Sequence, residues 1–346
     1  MPLTRPPQRH WATTVLAAVA GLAVAACTAK SPPPAKPAMH SRKGTTPPAS
    51  STAGTDSAGP LAPLTNLPAA SAAAAGRTAV ALDLAGPDPS GLAQADVIFE
   101  EASAPVRYIA VYQSRQATAG PITGTQPTDG QVLSVLHPVI GYDGAAAPFF
   151  LTALGRADVI DAGYASHPSL YTSGGQGVTA ATAAIRSAAR GGTAPPPLFR
   201  YRGTGSGAST LAATGVWRPT SVRVAMPGLA TQHWAFDARA DRWRLTSGGP
   251  RIQVANLVVQ TVPYKAIGLH HSVRSARVIG TGRAEVFSGR ASGRDAGTAA
   301  TGTWSKPHFA DVTNYFSAGG SPMAFQPGPT LIVLAPQGTR VSTSGG

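Results

Sequence analysis

Two apolar runs decide the fold: DVIFE at residues 96–100 and VRYIAVY at residues 106–112. Both have the length and the β-branched and aromatic content of strands, and alternate residues of the second run fall on opposite faces. One face takes Val106, Tyr108, Ala110 and Tyr112, and the other takes Arg107, Ile109 and Val111. The short connection predicts an antiparallel hairpin, in which we expect Glu100 and Arg107 to face each other as a salt bridge.

The elements around this hairpin give the chain an α+β character. Strands are predicted at residues 78–83 and 138–142, and helices at 127–136 and at the alanine-rich stretch 178–190. This mixture predicts an α/β N-terminal module at residues 61–200. Beyond a proline- and glycine-rich break, short apolar runs separated by turn residues predict a β-rich C-terminal module at residues 210–340. Its predicted strands lie at 222–225, 234–237, 243–245, 253–262, 276–279, 284–287, 302–304 and 331–334.

Cys27 is the only cysteine of the 346 residues, and it follows Val24-Ala25-Ala26. The uncharged, mostly apolar stretch 11–26 is too short to span a bilayer comfortably, and Arg5 and Arg9 precede it. This pattern is typical of a lipoprotein signal peptide over residues 1–27, with a diacylated Cys27 as the first mature residue. The alternative is an ordinary secretory signal cleaved after Ala26. Acylation predicts that the protein is anchored in the cell membrane on its extracytoplasmic face.

Residues 28–60 are rich in Pro, Ala, Ser and Thr and lack apolar periodicity, which predicts a disordered tether. The formal net charge of the whole chain is +13. A basic surface favours anionic lipid head groups or a cell-wall polymer, although a GC-rich genome would also enrich arginine. The extracytoplasmic compartment and the lack of an aromatic-basic pattern argue against a nucleic-acid partner. With Cys27 acylated, no cysteine remains for a disulfide.

No strong catalytic motif occurs in the chain. A Gly-x-Ser-x-Gly nucleophile motif and a His-Glu-x-x-His motif are both missing from the sequence. His270 and His271 are adjacent, and neighbouring residues of a strand point to opposite faces, so one ion would rarely bind both. We therefore expect no metal site, no cofactor and no catalytic residue that the sequence can name.

An ordered series of short motifs resembles the DUF3048 (YerB-like) family of bacterial lipoproteins across residues 60–336. The motifs are PLTNLP at 63–68, SGLAQADVIFE at 90–100, RYIAVY at 107–112, GPI at 120–122, NLVVQ at 256–260, GTWSK at 302–306 and PGPTLI at 327–332. The resemblance implies a surface lipoprotein of two modules without a settled activity. The segment at 120–126 lacks the arginines that family members usually carry there, so an arginine-based anion site is not expected at that segment. The family's Asp-Asn pair reads Asp83-Leu84, and its histidine is displaced to His167.

A ligand-binding cleft, if present, would gather Asp83, Glu100, Arg107, Asp129 and the loop of His167. The favoured hypothesis is a non-catalytic envelope lipoprotein that binds a ligand or a protein partner. One alternative is an enzyme acting on cell-wall material, with Glu100 or Asp129 as acid or base and His167 assisting. Another is a structural or assembly factor for wall synthesis that works through interaction surfaces alone.

Overall fold

A computed structural model describes residues 59–345 except for 146–147, 176, 203–215, 268–272 and 291–294. Cys27, almost all of the predicted tether and the pair His270-His271 lie outside the described residues. Those that are described belong to one compact unit. None of the helices in the described ranges has both the length and the apolar character that crossing a bilayer requires.

The first half of the chain alternates strands and short helices. Its helices are α1 (Ala72–Ala75), α2 (Pro127–Leu133), α3 (Pro148–Leu154) and α4 (Thr182–Ser187). Its strands are β1 (Val80–Ala85), β2 (Val97–Glu101), β3 (Arg107–Tyr112), β4 (Thr118–Ala119), β5 (Val139–Gly141), β6 (Ile160–Asp161), β7 (Tyr171–Gly174) and β8 (Gly177–Ala181). Turns of 3-10 helix occupy Leu92–Gln94, Ser134–Leu136 and Pro168–Leu170.

In the described residues of the second half, all regular structure is strand. It comprises β9 (Val216–Trp217), β10 (Ser221–Ala225), β11 (Gln232–Asp237), β12 (Arg242–Ser247), β13 (Gln253–Val254), β14 (Asn256–Val262) and β15 (Tyr264–Ile267). It continues with β16 (Val273–Ala276), β17 (Gly280–Arg290), β18 (Gly297–Lys306), β19 (Asn314–Ser317), β20 (Thr330–Pro336) and β21 (Arg340–Ser344). The α+β class and the β-rich second half are confirmed.

A large central sheet contains strands from both halves of the chain in the order β19-β18-β17-β14-β20-β2-β3-β1-β5-β6, with β9 beside β18. The predicted hairpin of β2 and β3 is confirmed, and it lies in the middle of this sheet. Strand β20 runs parallel to both β14 and β2, so it joins the two halves. All residues of β2, β3 and β20 are buried, as is typical of strands covered on both faces.

Each face of the central sheet has its own core. On one face, Tyr108 and Leu331 pack with Trp234 and Trp243 of a second sheet, which has the order β13-β12-β11-β10-β21. On the other face, Ile109 and Ile332 belong to a core that includes residues of α2 and α3, among them Val132, Leu133 and Leu154. The predicted alternation of β3 is confirmed, because Tyr108, Ala110 and Tyr112 lie in the first core and Ile109 and Val111 in the second.

The predicted helix at 178–190 is wrong in its first part. Residues Gly177–Ala181 form β8, which pairs with β7 and β4, and only Thr182–Ser187 are helical. Val178 and Thr179 are β-branched, and their pairing with Ser173 and Thr172 overrides the helical preference of the alanines that follow.

Candidate functional site

Arg107 lies at the start of β3 and is surrounded by three carboxylates on the α2 face of the central sheet. Its Nη2 is 2.6 Å from Asp129 Oδ1 and 2.7 Å from Asp83 Oδ1, and its Nη1 is 3.0 Å from Glu101 Oε2. Its Nε donates a hydrogen bond of 3.3 Å to the Gly124 carbonyl. All four charged side chains are buried. We call Asp83, Glu101, Arg107 and Asp129 the Arg107 cluster.

The amino terminus of α2 positions Asp129 in this cluster. Asp129 is the third residue of the helix, and its Oδ2 accepts 2.6 Å hydrogen bonds from Thr125 Oγ1 and from the backbone N–H of Gln126. This is a capping box, in which a side chain of the first turn satisfies the helix start. Oδ1 is thereby left facing Arg107.

Glu101 and Asp83 differ in how their oxygens are satisfied. Glu101 Oε1 accepts hydrogen bonds from Thr128 Oγ1 at 2.6 Å and from the Ala276 backbone N–H at 2.9 Å. Neither oxygen of Asp83 accepts a hydrogen bond from any described residue. The 2.7 Å contact of Asp83 with Arg107 is therefore close charge proximity, without an N–H directed at the carboxylate.

The cluster holds three carboxyl groups against one guanidinium. Burial raises the pKa of Asp83 well above its usual range; the Arg107 charge opposes this rise and the neighbouring Asp129 adds to it. Burial also raises the pKa of Glu101, despite the Arg107 charge. Burial alone would lower the pKa of Arg107, but the charges of Asp129, Asp83 and Glu101 outweigh it and raise that pKa. Arg107 therefore stays charged, while Asp83 retains a proton to higher pH than an exposed carboxyl does.

The predicted salt bridge between Glu100 and Arg107 is wrong, because the register of the hairpin differs by one residue. Arg107 lies opposite Glu101, and Glu100 lies opposite Tyr108. Glu100 consequently points to the other face of the sheet, where Gln232 Nε2 of β11 donates a 2.6 Å hydrogen bond to its Oε1. Burial raises the pKa of Glu100 to about 7, and the bond from Gln232 opposes that rise.

Of the five predicted site residues, the structure brings Asp83, Arg107 and Asp129 together, whereas Glu100 lies on the other face of the sheet and the His167 side chain makes no hydrogen bond or ion pair with the described residues of the cluster. His167 precedes the 3-10 turn 168–170, and its backbone N–H donates to the Gly163 carbonyl at 3.0 Å. Glu100 and Asp129 are buried on opposite faces of the central sheet. The enzyme hypothesis names either carboxyl with His167 as its assistant, and within the described residues neither Glu100 nor Asp129 forms a hydrogen bond or ion pair with the His167 side chain.

An open cleft lies at the other end of the β2–β3 hairpin. It has a volume of about 1040 Å³, at the upper end of the range of small-molecule sites. Asp96 precedes β2, Ser114 follows β3 and Pro329 precedes β20, and all three line it. The remaining walls come from the segment 65–74 and from β12, β13 and the loop between them.

Four arginines line this arginine cleft, and strand periodicity explains two of them. In β12, Trp243 and Leu245 are buried, whereas Arg242 and Arg244 occupy the alternate positions. Arg115 and Arg251 complete the set. The remaining lining is largely aliphatic: Leu67, Pro68, Ala69, Ala70, Ala74, Ala93, Leu245, Ile252 and Pro329.

Sequence reasoning missed this cleft, although part of its signal is visible. The run RWRLT at 242–246 alternates basic or polar residues with large apolar ones, which places Arg242 and Arg244 on one face of a strand. Arg251 lies in the loop that follows β12, where no periodicity indicates its direction, and Arg115 comes from a loop far away in the sequence, so no local pattern indicates that it meets β12. Within the described ranges, no group of three or more His, Cys, Asp or Glu side chains is arranged to hold a metal ion.

Comparison with known proteins identifies two family domains and one similar structure. The model of the N-terminal domain of a protein of unknown function, DUF3048, matches residues 64–178, and that of the DUF3048 C-terminal domain matches residues 222–332. The crystal structure of the YerB protein from Bacillus subtilis is similar with a TM-score of 0.63 and 17% sequence identity. The similar region covers 82% of this chain and 99% of YerB. No curated protein matches the chain.

Proposed function

The chain belongs to the DUF3048 family, and on that premise we propose that it is a membrane-anchored extracytoplasmic lipoprotein that binds a ligand in the cell envelope without catalysing a reaction. The observation that carries this proposal is the arginine cleft of about 1040 Å³. The signal pattern ending at Cys27 supports the compartment and the anchor.

The chemistry of the cleft supports binding rather than catalysis. Among the described residues that line it, Asp96 is the only acidic one. Both oxygens of Asp96 are occupied: Oδ2 accepts hydrogen bonds from the backbone N–H groups of Gln113 and Ser114, and Oδ1 accepts one from Ser114 Oγ. A carboxylate has about four positions at which it can accept a hydrogen bond, and these donors already take three of them. The other ionisable side chains among the described lining residues are arginines, so the cleft presents donors to a ligand and none of these residues completes an acid–base pair with Asp96.

The anchor is tested with a single substitution. Cys27→Ser removes the acylated thiol, so we expect loss of fatty-acid labelling and release of the protein from membranes washed with high salt, which also weakens charge-dependent binding through the cleft. Continued membrane association of the unlabelled variant would show that another feature holds the protein there.

Ligand binding is tested by filling the cleft without changing its charge. Ala93 is exposed and lines the cleft, so Ala93→Trp narrows it. We expect the Cys27→Ser protein to be retained on isolated envelope fragments, and the added Ala93→Trp substitution to reduce that retention. Ala318→Trp is the matched control, because Ala318 is exposed outside the cleft. Equal retention of the Ala93→Trp and Ala318→Trp variants would contradict binding in the cleft.

A further inference from the structure

We infer that the arginine cleft binds a phosphate-bearing amphiphile, one lipid molecule at a time, with the phosphate on the arginines and the chain along the aliphatic wall. This inference rests on the proposed ligand-binding function and names the chemical class of the ligand. The guanidinium group offers donors in a planar fork that matches phosphate, and it remains charged at all physiological pH values.

The arginines of the cleft keep donors available for an anion. Arg115 uses Nη2 for a long 3.4 Å bond to the Ala95 carbonyl, and Arg242 uses Nη1 for a 3.1 Å bond to the Asp241 carbonyl. Each guanidinium has five N–H donors, so most of them remain. The Arg244 side chain makes no hydrogen bond or ion pair with any residue that the structure describes. Arg115 and Arg242 line the same cleft. Burial lowers the pKa of Arg242; the charge of Asp241 opposes this and the charge of Arg115 adds to it.

The acidic residues near the arginines do not neutralise them or block the cleft. Asp88 is 3.7 Å from Arg251 Nε, but the side chains are 54% and 94% exposed, so this pair contributes little. The charge of Asp241 acts on Arg242, and the charge of Arg244 acts on Asp237. None of these three aspartates lines the cleft.

The division of the lining favours an amphiphile over a polyanion. The side formed by residues 67–74 is aliphatic, because its lining residues are Leu67, Pro68, Ala69, Ala70 and Ala74, whereas the β12–β13 side carries three of the arginines. A polymer with an anion in every repeat would place charges against the aliphatic wall, where no cation compensates the loss of hydration. A phosphate with an attached hydrocarbon chain can bind the arginines through its phosphate and pack its chain against the aliphatic side.

The test measures binding of dihexanoyl phosphatidic acid, below its micelle concentration, to the full chain carrying Cys27→Ser. This background removes the protein's own acyl chains. Arg244 and Arg251 are exposed, so Arg244→Gln with Arg251→Gln removes two charges without disturbing the core. We expect the double variant to bind about tenfold more weakly. Arg223→Gln is the matched control, because Arg223 is exposed on the same five-stranded sheet and does not line the cleft.

Three further ligands decide the class. Glycerol 3-phosphate lacks the chains and is expected to bind at least tenfold more weakly than the lipid, whereas dihexanoylglycerol lacks the phosphate and is expected not to bind. Equal binding of dihexanoylglycerol, or an unchanged affinity of the arginine double variant, would overturn the inference. If poly(glycerol phosphate) binds more tightly than dihexanoyl phosphatidic acid and this binding depends on the arginines, the ligand is a wall polymer and the inference of a lipid is wrong. If Ala93→Trp abolishes retention on envelope fragments while the phosphatidic acid does not bind, the proposed function stands and only this inference fails.

Discussion

Replacing Arg107 by methionine is expected to destabilise the protein severely. Methionine has a similar length and no charge, so it preserves most of the packing while it removes the cation from Asp83, Glu101 and Asp129. These contacts span 2.6–3.0 Å, and every partner is buried. Removing one member of such a buried ion cluster leaves uncompensated charges and costs about 3–5 kcal/mol. The loss should be largest at pH 8.

The pH dependence of this loss has a definite sign. Without Arg107 the raised pKa values of Asp83 and Glu101 rise further, so the folded variant takes up protons that the unfolded chain releases at about pH 4. A folded state that binds more protons than the unfolded state loses stability as the pH rises. The deficit of Arg107→Met should therefore shrink between pH 8 and pH 5.

The assay is urea unfolding followed by tryptophan fluorescence, because Trp234, Trp243 and Trp304 are buried and become exposed on unfolding. Arg107→Lys keeps the charge without the planar fork and is expected to fall between wild type and Arg107→Met. Arg223→Met, at an exposed position, serves as the control and should change the unfolding free energy by no more than about 0.5 kcal/mol. The reasoning is refuted if Arg107→Met lies within about 1 kcal/mol of wild type at pH 8, or if its deficit does not vary with pH.

Two further substitutions test other parts of the structure. The pKa of Glu100 is raised to about 7, against 4.5 for the ordinary group. The contribution of this residue to stability is therefore complete below pH 4.5 and falls as the pH rises to 7. The free energy of unfolding should decrease by about 3 kcal/mol over that range. Glu100→Gln keeps the contact with Gln232 and should make the free energy of unfolding nearly independent of pH between pH 5 and pH 8. If the variant keeps the pH dependence of the wild type, a group other than Glu100 causes it. Gly302→Ala would put a Cβ 1.8 Å from the Phe316 carbonyl oxygen and should cost about 2 kcal/mol in thermal unfolding as β19 is forced from β18. Gly174→Ala, which meets no atom within 4 Å, is its control, and equal effects of the two would argue against the clash.

The sequence predicted the central hairpin and its alternation, but not its register. Residues of β2 and β3 are buried on both faces, so the hydrophobic pattern does not favour one register over the other. A shift of the pairing by one residue decides whether Glu100 or Glu101 lies opposite Arg107. It also exchanges the faces of the sheet to which the two glutamates point. Only the contacts of Glu101 with Thr128 and Ala276, which are distant in sequence, distinguish these alternatives.

The joining of the two halves could not be predicted for a similar reason. Strand β20 pairs in parallel with both β2 and β14, and parallel pairing requires long connections that leave no local signature. Apolar runs at 253–262 and 331–334 predict strands in these regions, and the run DVIFE predicts β2. Their order in the sheet depends on pairings between residues 74 apart (Asn256 and Thr330) and 233 apart (Val97 and Thr330). A sequence separation similar to the second of these lies between Arg115 and the part of the cleft wall formed by Pro329.

Arg107 and the arginines of the cleft lie at opposite ends of the β2–β3 hairpin and in different electrostatic environments. Arg107 is enclosed by three carboxyl groups and also contacts the Gly124 carbonyl. Its charge is therefore neutralised inside the fold and does not attract ligands from solvent. Arg244 and Arg251 are exposed at the far end of the hairpin. There Asp96, the only acidic residue among the described lining, already accepts hydrogen bonds from three donors. Because exposed charges act on solvent and buried, neutralised ones do not, the attraction of this basic chain for an anion is directed to the arginine cleft. Substitutions at Arg107 should therefore change stability without changing ligand affinity, and substitutions at Arg244 and Arg251 should do the reverse.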